Sequence, residues 1–140
     1  MSGPADAVRL RVAVVDDEQD VLTFLRLALE DQGFEVLASD RPLTALEQLR
    51  GFEPDLICLD LLMPEQMGSS LFLEIRSDSR LAEVPVVILT GLNARDALAR
   101  VSGPGSKVRP PERYLEKPVD LAAFLRAVSE LAGPATRPRR

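Results

Sequence analysis

Short apolar runs alternate with amphipathic segments along most of the chain. Leu10–Val15 is rich in β-branched residues and stops at a pair of acids, which predicts a first strand. Leucines then recur at helical spacing up to Gly33, which predicts a helix that ends there. The alternation continues to the last helix. The predicted strands are Leu10–Val15, Phe34–Ala38, Asp55–Asp60, Val84–Thr90 and Arg113–Glu116, each followed by a helix.

Local signals mark the ends of several predicted helices. Asp40 and Asp120 are expected to cap the second and the last helix, and Gly51 is expected to end the second. A weaker apolar repeat over residues 94–101 predicts the fourth helix. The residues at 102–112 are rich in Gly, Ser and Pro, which predicts an irregular loop.

Strict alternation of strand and helix predicts an α/β fold. We expect a doubly wound, five-stranded parallel sheet with five helices distributed over its two faces. The apolar run at Val84–Thr90 suits a central strand that is covered on both sides. The folded domain is expected at residues 9–132, with a flexible tail at 1–8 and a basic tail at 133–140.

Composition narrows the classes of function. The 140 residues include no histidine, which removes the commonest zinc ligand and the base of a serine–histidine triad. The single cysteine, Cys58, lies in an apolar run and is expected to be a buried hydrophobic residue. The chain has no apolar run long enough for a membrane span and no secretory signal pattern at its N-terminus. We therefore expect a cytoplasmic protein.

Charge is unevenly distributed along the chain. Residues 1–92 carry 7 basic and 17 acidic side chains, a net of −10, whereas residues 93–140 carry 10 basic and 5 acidic, a net of +5. The acidic part argues against nucleic-acid binding by the whole domain. The basic part could face an acidic partner, and its simpler interpretation is a solvated surface.

Polar residues with compatible chemistry fall at the ends of four predicted strands. Asp16 and Asp17 follow the first strand and Asp60 ends the third. Thr90 ends the fourth strand and Lys117 follows the fifth. Because sites in such sheets form beyond the carboxyl ends of the strands, we expect these side chains to gather at one edge. Clustered carboxylates repel one another, and Mg²⁺, which prefers oxygen ligands, would relieve that repulsion.

The same cluster suggests chemistry on phosphorus. Asp60 could act as a carboxylate nucleophile and form an acyl phosphate. Lys117 and Thr90 could donate hydrogen bonds to the phosphoryl oxygens. Taken singly, each residue also fits a structural role: helix caps for the acid pair, a turn at Asp60, an ordinary strand residue at Thr90 and a turn at Lys117-Pro118. Their ordered occurrence at four strand ends favours the functional interpretation.

Four motifs make the chain resemble the receiver domains of two-component response regulators. They are Val14-Val15-Asp16-Asp17-Glu18, Asp60-Leu61-Leu62-Met63-Pro64 followed by Gly68, Val86-Val87-Ile88-Leu89-Thr90-Gly91, and Tyr114-Leu115-Glu116-Lys117-Pro118. The resemblance extends from about Leu10 to Leu131. It implies the flavodoxin-like form of the predicted sheet. It also implies that Asp60 receives a phosphoryl group from a phosphohistidine on a sensor histidine kinase or a histidine phosphotransfer protein.

The resemblance implies roles for the other residues of the site. Lys117 would contact the phosphoryl group, Thr90 would move toward it and Tyr114 would change rotamer. The peptide bond before Pro118 would be cis, which X–Pro bonds allow at little cost. The ligands implied for Mg²⁺ are Asp17, Asp60 and the backbone carbonyl of Leu62, with Asp16 binding directly or through a water molecule.

The resemblance also frames the alternatives. It implies a signalling domain that catalyses only its own phosphorylation and dephosphorylation, with an effector protein at the face of the last two helices. The sequence leaves the oligomeric state open. A binding module of the same fold that does not use phosphorylation remains an alternative, because the 102–112 loop is long and Pro110–Arg113 replaces the usual Gly-Ala before the last strand. A phosphatase with an aspartyl-phosphate intermediate is disfavoured, because Leu62 stands where such enzymes commonly carry a second acid. The acids after the first strand also disfavour a flavin phosphate site.

Overall fold

The elements follow the predicted alternation. The structure is a computed structural model that describes residues 7–61, 63, 68–91, 96, 99 and 107–138. The strands are β1 (Ala7–Arg9), β2 (Arg11–Val15), β3 (Glu35–Ser39), β4 (Leu56–Asp60), β5 (Val86–Thr90), β6 (Arg113–Glu116) and β7 (Thr136–Pro138). The helices are α1 (Gln19–Asp31), α2 (Pro42–Phe52), α3 (Gly68–Ser77) and α4 (Leu121–Ala132).

Five of the strands form one parallel sheet in the order β3-β2-β4-β5-β6. This confirms the predicted doubly wound sheet. The strand order reverses between β2 and β4, and in such sheets the crevice opens beyond the carboxyl ends of those two strands. The predicted helix at 94–101 lies outside the described residues except for Asp96 and Ala99, which are both helical.

The core consists of two apolar layers, one on each face of the sheet. Side chains alternate along each strand, so neighbouring residues enter opposite layers. In β2, Ala13 and Val15 pack in the layer with α2 and α3, whereas Val12 and Val14 pack in the layer with α1 and α4. Both layers are therefore closed by helices, as a buried parallel sheet requires. No helix in the described part of the chain has the length and apolar character needed to cross a membrane.

The ends of the helices agree only partly with the predicted caps. Asp120 caps α4, where its Oδ2 accepts a hydrogen bond of 2.8 Å from a backbone N–H of the first turn. Asp40 does not cap α2, because its carboxylate accepts a hydrogen bond from the Gln19 side chain instead. Gly51 lies inside α2, which ends at Phe52. The residue after it, Glu53, has a left-handed backbone conformation with a φ of 56°.

The two terminal segments pair with each other. β1 and β7 run antiparallel, with Ala7 opposite Pro138. The pairing continues in a hydrogen bond of 2.7 Å from the Leu10 N–H to the carbonyl of Ala135. Residues 7–8 and 136–138 are therefore strand residues where the sequence predicts tails. Their local pattern gives no sign of this, because the pairing joins residues about 130 positions apart.

The segment before β6 is held by a buried arginine of α3. The Arg76 guanidinium donates to the carbonyls of Arg109, Pro110 and Val84 at 3.0, 2.9 and 2.9 Å. It also donates to Glu112 Oε1 at 2.8 Å, and its side chain is only 2% exposed. The described part of the predicted loop, residues 107–112, is thus irregular in backbone but fixed by a cation.

Candidate functional site

Three carboxylates meet beyond the carboxyl ends of the central strands. Asp16 and Asp17 follow β2, and Asp60 is the last residue of β4. One carboxylate oxygen from each of the three lies within 4.8 Å of the others. Asp16 and Asp60 are buried, and Asp17 is partly exposed. The strand ends therefore bring together the acid pair and the acid that the sequence places 43 residues later.

The register of the sheet explains this convergence. Val15 of β2 lies opposite Leu59 of β4, so the next residue of each strand is Asp16 or Asp60. The backbone N–H of Asp16 donates to the carbonyl of Ser39 at 3.0 Å, which keeps Asp16 aligned with β3. The apolar strand residues fix the two backbones, and the acids occupy the first positions at which the core no longer covers both faces.

Lys117 follows β6, the edge strand of the sheet, and its side chain reaches the acid cluster. Its backbone N–H donates to the carbonyl of Thr90 at 2.8 Å, which extends the β5–β6 ladder by one residue. Its Nζ lies 2.8 Å from Asp16 Oδ2, 2.6 Å from Glu18 Oε1 and 3.4 Å from Asp60 Oδ2. The ammonium group therefore contacts three acids at once.

The charges in the site are strongly coupled. Two carboxylates about 5 Å apart repel by roughly 3 kcal/mol at an effective dielectric of about 20. Burial favours the neutral form of Lys117, but its contacts with Asp16, Glu18 and Asp60 outweigh this and raise its pKa above the ordinary value. Lys117 therefore stays protonated at neutral pH and offsets part of the negative charge of the cluster.

Asp16 offers an oxygen that suits a metal ion. Its Oδ2 is buried, lies 2.8 Å from Lys117 Nζ as an ion pair, and accepts no hydrogen bond from the residues that the structure describes. Its Oδ1 accepts a hydrogen bond of 2.9 Å from the backbone N–H of Glu18. A buried carboxylate oxygen with no hydrogen bond, beside two further carboxylates, fits a hard cation with oxygen ligands.

Thr90 lies on β5, the strand beside that of Asp60, and Tyr114 lies on β6, the edge strand beyond it. Thr90 ends β5 and is buried. Tyr114 of β6 is half-buried and packs against the apolar layer that contains α2 and α3. Its hydroxyl is buried and makes no hydrogen bond within the described part of the chain. Burial raises the pKa of Tyr114 above its ordinary value, so the hydroxyl stays neutral.

The remaining candidate residues differ in how far the structure describes them. The peptide bond between Lys117 and Pro118 is cis. Leu62, whose carbonyl the family resemblance implies as a metal ligand, lies outside the described residues. Glu18 is a site residue that does not stand at the end of a predicted strand, although it follows the acid pair directly in the first family motif. The signal for it is a third consecutive acid at the start of a helix.

A groove lies beside Glu18 and Lys117. It has a volume of about 630 Å³ and lies between α1 and the segment that leads into α4. Its lining combines the acids Glu18 and Asp20 with Lys117 and with apolar side chains, among them the exposed Phe24. The surface next to Glu18 and Lys117 is therefore partly apolar.

Comparison with known proteins gives a consistent result. A family model described as a response regulator receiver domain matches residues 12–129. The polar-differentiation response regulator DivK of Brucella anthropi is 27% identical over 124 residues, which are 89% of this chain and 97% of DivK.

Solved structures show the same fold. The chemotaxis protein CheY4 of Vibrio cholerae matches with a TM-score of 0.78 at 22% identity, over 89% of this chain and 99% of its own. The receiver domain of the sensor histidine kinase PA1611 from Pseudomonas aeruginosa PAO1 matches with a TM-score of 0.77 at 22% identity, over 90% of this chain and 99% of its own. That structure has a magnesium ion coordinated in its active-site cleft.

Proposed function

The chain belongs to the response regulator receiver domains of two-component signalling, and from this premise we propose that Asp60 is its phosphoryl acceptor. The donor is a phosphohistidine of a sensor histidine kinase or a histidine phosphotransfer protein, and the transfer depends on Mg²⁺. The observation that carries the proposal is the meeting of Asp16, Asp17 and Asp60 within 4.8 Å, with the Lys117 ammonium 3.4 Å from Asp60.

Asp60 has the position that a nucleophile needs. A carboxylate oxygen of Asp60 attacks phosphorus, and the bond from phosphorus to the donor imidazole breaks on the opposite side. The imidazole nitrogen takes the electron pair of that bond, and Asp60 becomes an acyl phosphate. Asp60 is the last residue of β4, and its Oδ2 lies 3.4 Å from the ammonium group of Lys117, which lines the groove.

The ligands proposed for Mg²⁺ are Asp16, Asp17, Asp60 and the carbonyl of Leu62. When bound, the ion neutralises the repulsion among the acids and orients the oxygens of the transferred group. The buried Oδ2 of Asp16, which accepts no hydrogen bond in the described part of the chain, and the magnesium in the cleft of the PA1611 receiver domain both support this part of the proposal. Leu62 enters through the family resemblance alone.

Lys117, Thr90 and Tyr114 form the proposed response. Lys117 donates to a phosphoryl oxygen, and its raised pKa keeps it charged for that contact. Thr90 moves toward the phosphoryl group, and the half-buried Tyr114 ring changes rotamer with it. A new dianionic group thereby shifts an equilibrium between two states of the β5–β6 edge.

In this proposal the domain acts in signalling and does not convert any substrate other than its own phosphoryl group. The domain catalyses only its own phosphorylation and dephosphorylation, and an effector protein binds the face of the last two helices. A cytoplasmic location, expected from the sequence, belongs to the same proposal. The groove beside α1 supports the proposed contact with a histidine kinase, because the exposed, apolar Phe24 offers a binding surface close to Glu18 and Asp20.

Intact mass spectrometry tests the acceptor directly. The native protein, incubated with acetyl phosphate and Mg²⁺, is expected to gain the mass of one phosphoryl group. Asp60→Asn is expected to gain none, and Asp20→Asn, an exposed acid of α1 with no role in the transfer, is expected to behave like the native protein. Equal labelling of the native protein and Asp60→Asn contradicts the assignment. A native protein that stays unlabelled, also with a phosphorylated partner, favours the phosphorylation-independent alternative.

A further inference from the structure

The Lys117 ammonium group lies at different distances from the three carboxylates that it contacts. The shortest of its three contacts, 2.6 Å, is a hydrogen bond to Glu18 Oε1. The longest, 3.4 Å, is to Asp60. Lys117 is therefore held closer to an acid outside the proposed metal ligands than to the proposed phosphoryl acceptor.

Local structure fixes Glu18 in this position. Its backbone N–H donates to Asp16 Oδ1 at 2.9 Å, and the residue stands at the N-cap position of α1. Its side chain caps no helical N–H, so the carboxylate is free to reach across to Lys117. The Glu18 side chain is 58% exposed, whereas that of Asp16 is fully buried.

These contacts make Glu18 and a phosphoryl group competitors for one cation. An ammonium group has three N–H donors, and three carboxylates already surround that of Lys117. A phosphoryl group on Asp60 needs at least one of these donors. Glu18 is the contact that gives way most easily, because its exposed carboxylate regains water while the buried Asp16 cannot.

We propose that Glu18 is a positioning residue that holds Lys117 away from Asp60 until a phosphoryl group displaces it. The first half concerns the unphosphorylated protein alone. The second half rests on the proposed function of Asp60. In this arrangement Glu18 lowers the affinity of the site for a phosphoryl group, because its hydrogen bond holds the ammonium group away from Asp60 and its carboxylate competes for the same positive charge.

The competition is measured with beryllium fluoride, a phosphoryl analogue, at saturating Mg²⁺. Calorimetry is expected to show binding about threefold tighter to Glu18→Gln than to the native protein, since exposed ion pairs are worth at most about fivefold. Asp20→Asn is the matched control, because it removes the same charge from the same groove. It is expected to bind as the native protein does. An equal change in both variants, no change, or weaker binding to Glu18→Gln would overturn the proposal.

The contact itself is measured without any phosphoryl group. The sequence has only two lysines, Lys107 and Lys117, so the side-chain ammonium signals in nitrogen–proton NMR spectra are assigned with one Lys107→Arg variant. In metal-free protein the Lys117 signal is expected to shift in Glu18→Gln and to stay in place in Asp20→Asn. An unmoved signal in Glu18→Gln refutes the contact. If beryllium fluoride does not bind but the Lys117 signal shifts in Glu18→Gln, the acceptor role of Asp60 is refuted. The contact between Glu18 and Lys117 is then still supported.

Discussion

Replacing Arg76 by Met tests whether a buried cation holds the segment before β6. The guanidinium makes four hydrogen bonds, three to backbone carbonyls and one to Glu112 Oε1. It also lies over the Phe72 ring, 4.9 Å from the ring centroid. Methionine keeps much of the aliphatic stem and removes the charge and all four donors. The perturbation therefore isolates the polar network from the packing.

The expected loss is several kcal/mol. Arg109 and Pro110 are exposed residues, so their carbonyls can regain water at small cost. Glu112 is different, because its partly buried carboxylate loses the buried one of its two cations and keeps only the more exposed Arg109. Breaking a buried pair from one side typically costs about 3–5 kcal/mol. The expected decrease in the free energy of unfolding is therefore about 3 kcal/mol or more, which a domain of ordinary stability survives.

The assay is urea unfolding of metal-free protein followed by circular dichroism. Arg26→Met is the matched control, since Arg26 forms an exposed i,i+4 pair with Glu30 at 3.1 Å. Such a pair contributes about 0.3–0.5 kcal/mol. Amide hydrogen exchange is expected to rise at 107–112 in Arg76→Met and to stay native in Arg26→Met. If Arg76→Met destabilises no more than Arg26→Met, the network is not what fixes the segment.

Acid pH gives an independent check through Glu112. Burial alone would raise its pKa, but hydrogen bonds from Arg76, from the Val86 N–H and from Arg109 outweigh burial and hold the pKa below 4.5. Because the folded-state pKa is the lower one, the contribution of Glu112 is present above about pH 4.5 and is lost as the pH falls through the folded value. The destabilisation by Glu112→Gln is therefore expected to shrink on acidification. A pH-independent difference contradicts the ion-pair reasoning.

Two further predictions use the same protein. Cys58 is fully buried and burial raises the pKa of its thiol to about 12, so a disulfide reagent is expected to label it only after unfolding; rapid labelling of native protein contradicts the buried assignment. Lys117→Met leaves the acid cluster without its cation, so Mg²⁺ is expected to raise the melting temperature more in this variant than in native protein. Equal shifts, measured by circular dichroism, would contradict it.

The sheet and the acid cluster could be predicted because both depend on local pattern and topology. Val86–Thr90 is apolar at every position up to the hydroxyl, and all five residues are buried. A strand buried on both faces has few alternatives to the interior of a parallel sheet. Once the strands are parallel, Asp16 and Asp60 have to emerge at the same edge, so their proximity follows from chain order.

Features that depend on long-range competition could not be predicted. Asp40 has the chemistry of an N-cap, yet its carboxylate takes the Gln19 side chain, which the sequence places 21 residues away. Arg76 resembles an ordinary surface arginine in a helical pattern, and its buried role depends on carbonyls about 34 residues further along. In both cases the partner is set by the tertiary fold, which local propensity does not encode.

The charge balance of the site explains why a receiver site of this composition calls for a metal. One ammonium group, that of Lys117, serves the carboxylates of Asp16, Asp60 and Glu18, while Asp17 stands within 4.8 Å of the first two. Phosphorylation replaces the single charge of the Asp60 carboxylate by a group with about two negative charges, a net gain of about one. Lys117 alone cannot offset that addition, because its single positive charge already faces the carboxylates of Asp16, Asp60 and Glu18. The phosphorylated state proposed for Asp60 therefore needs a second cation, and the release of Lys117 from Glu18 sets how readily that state forms.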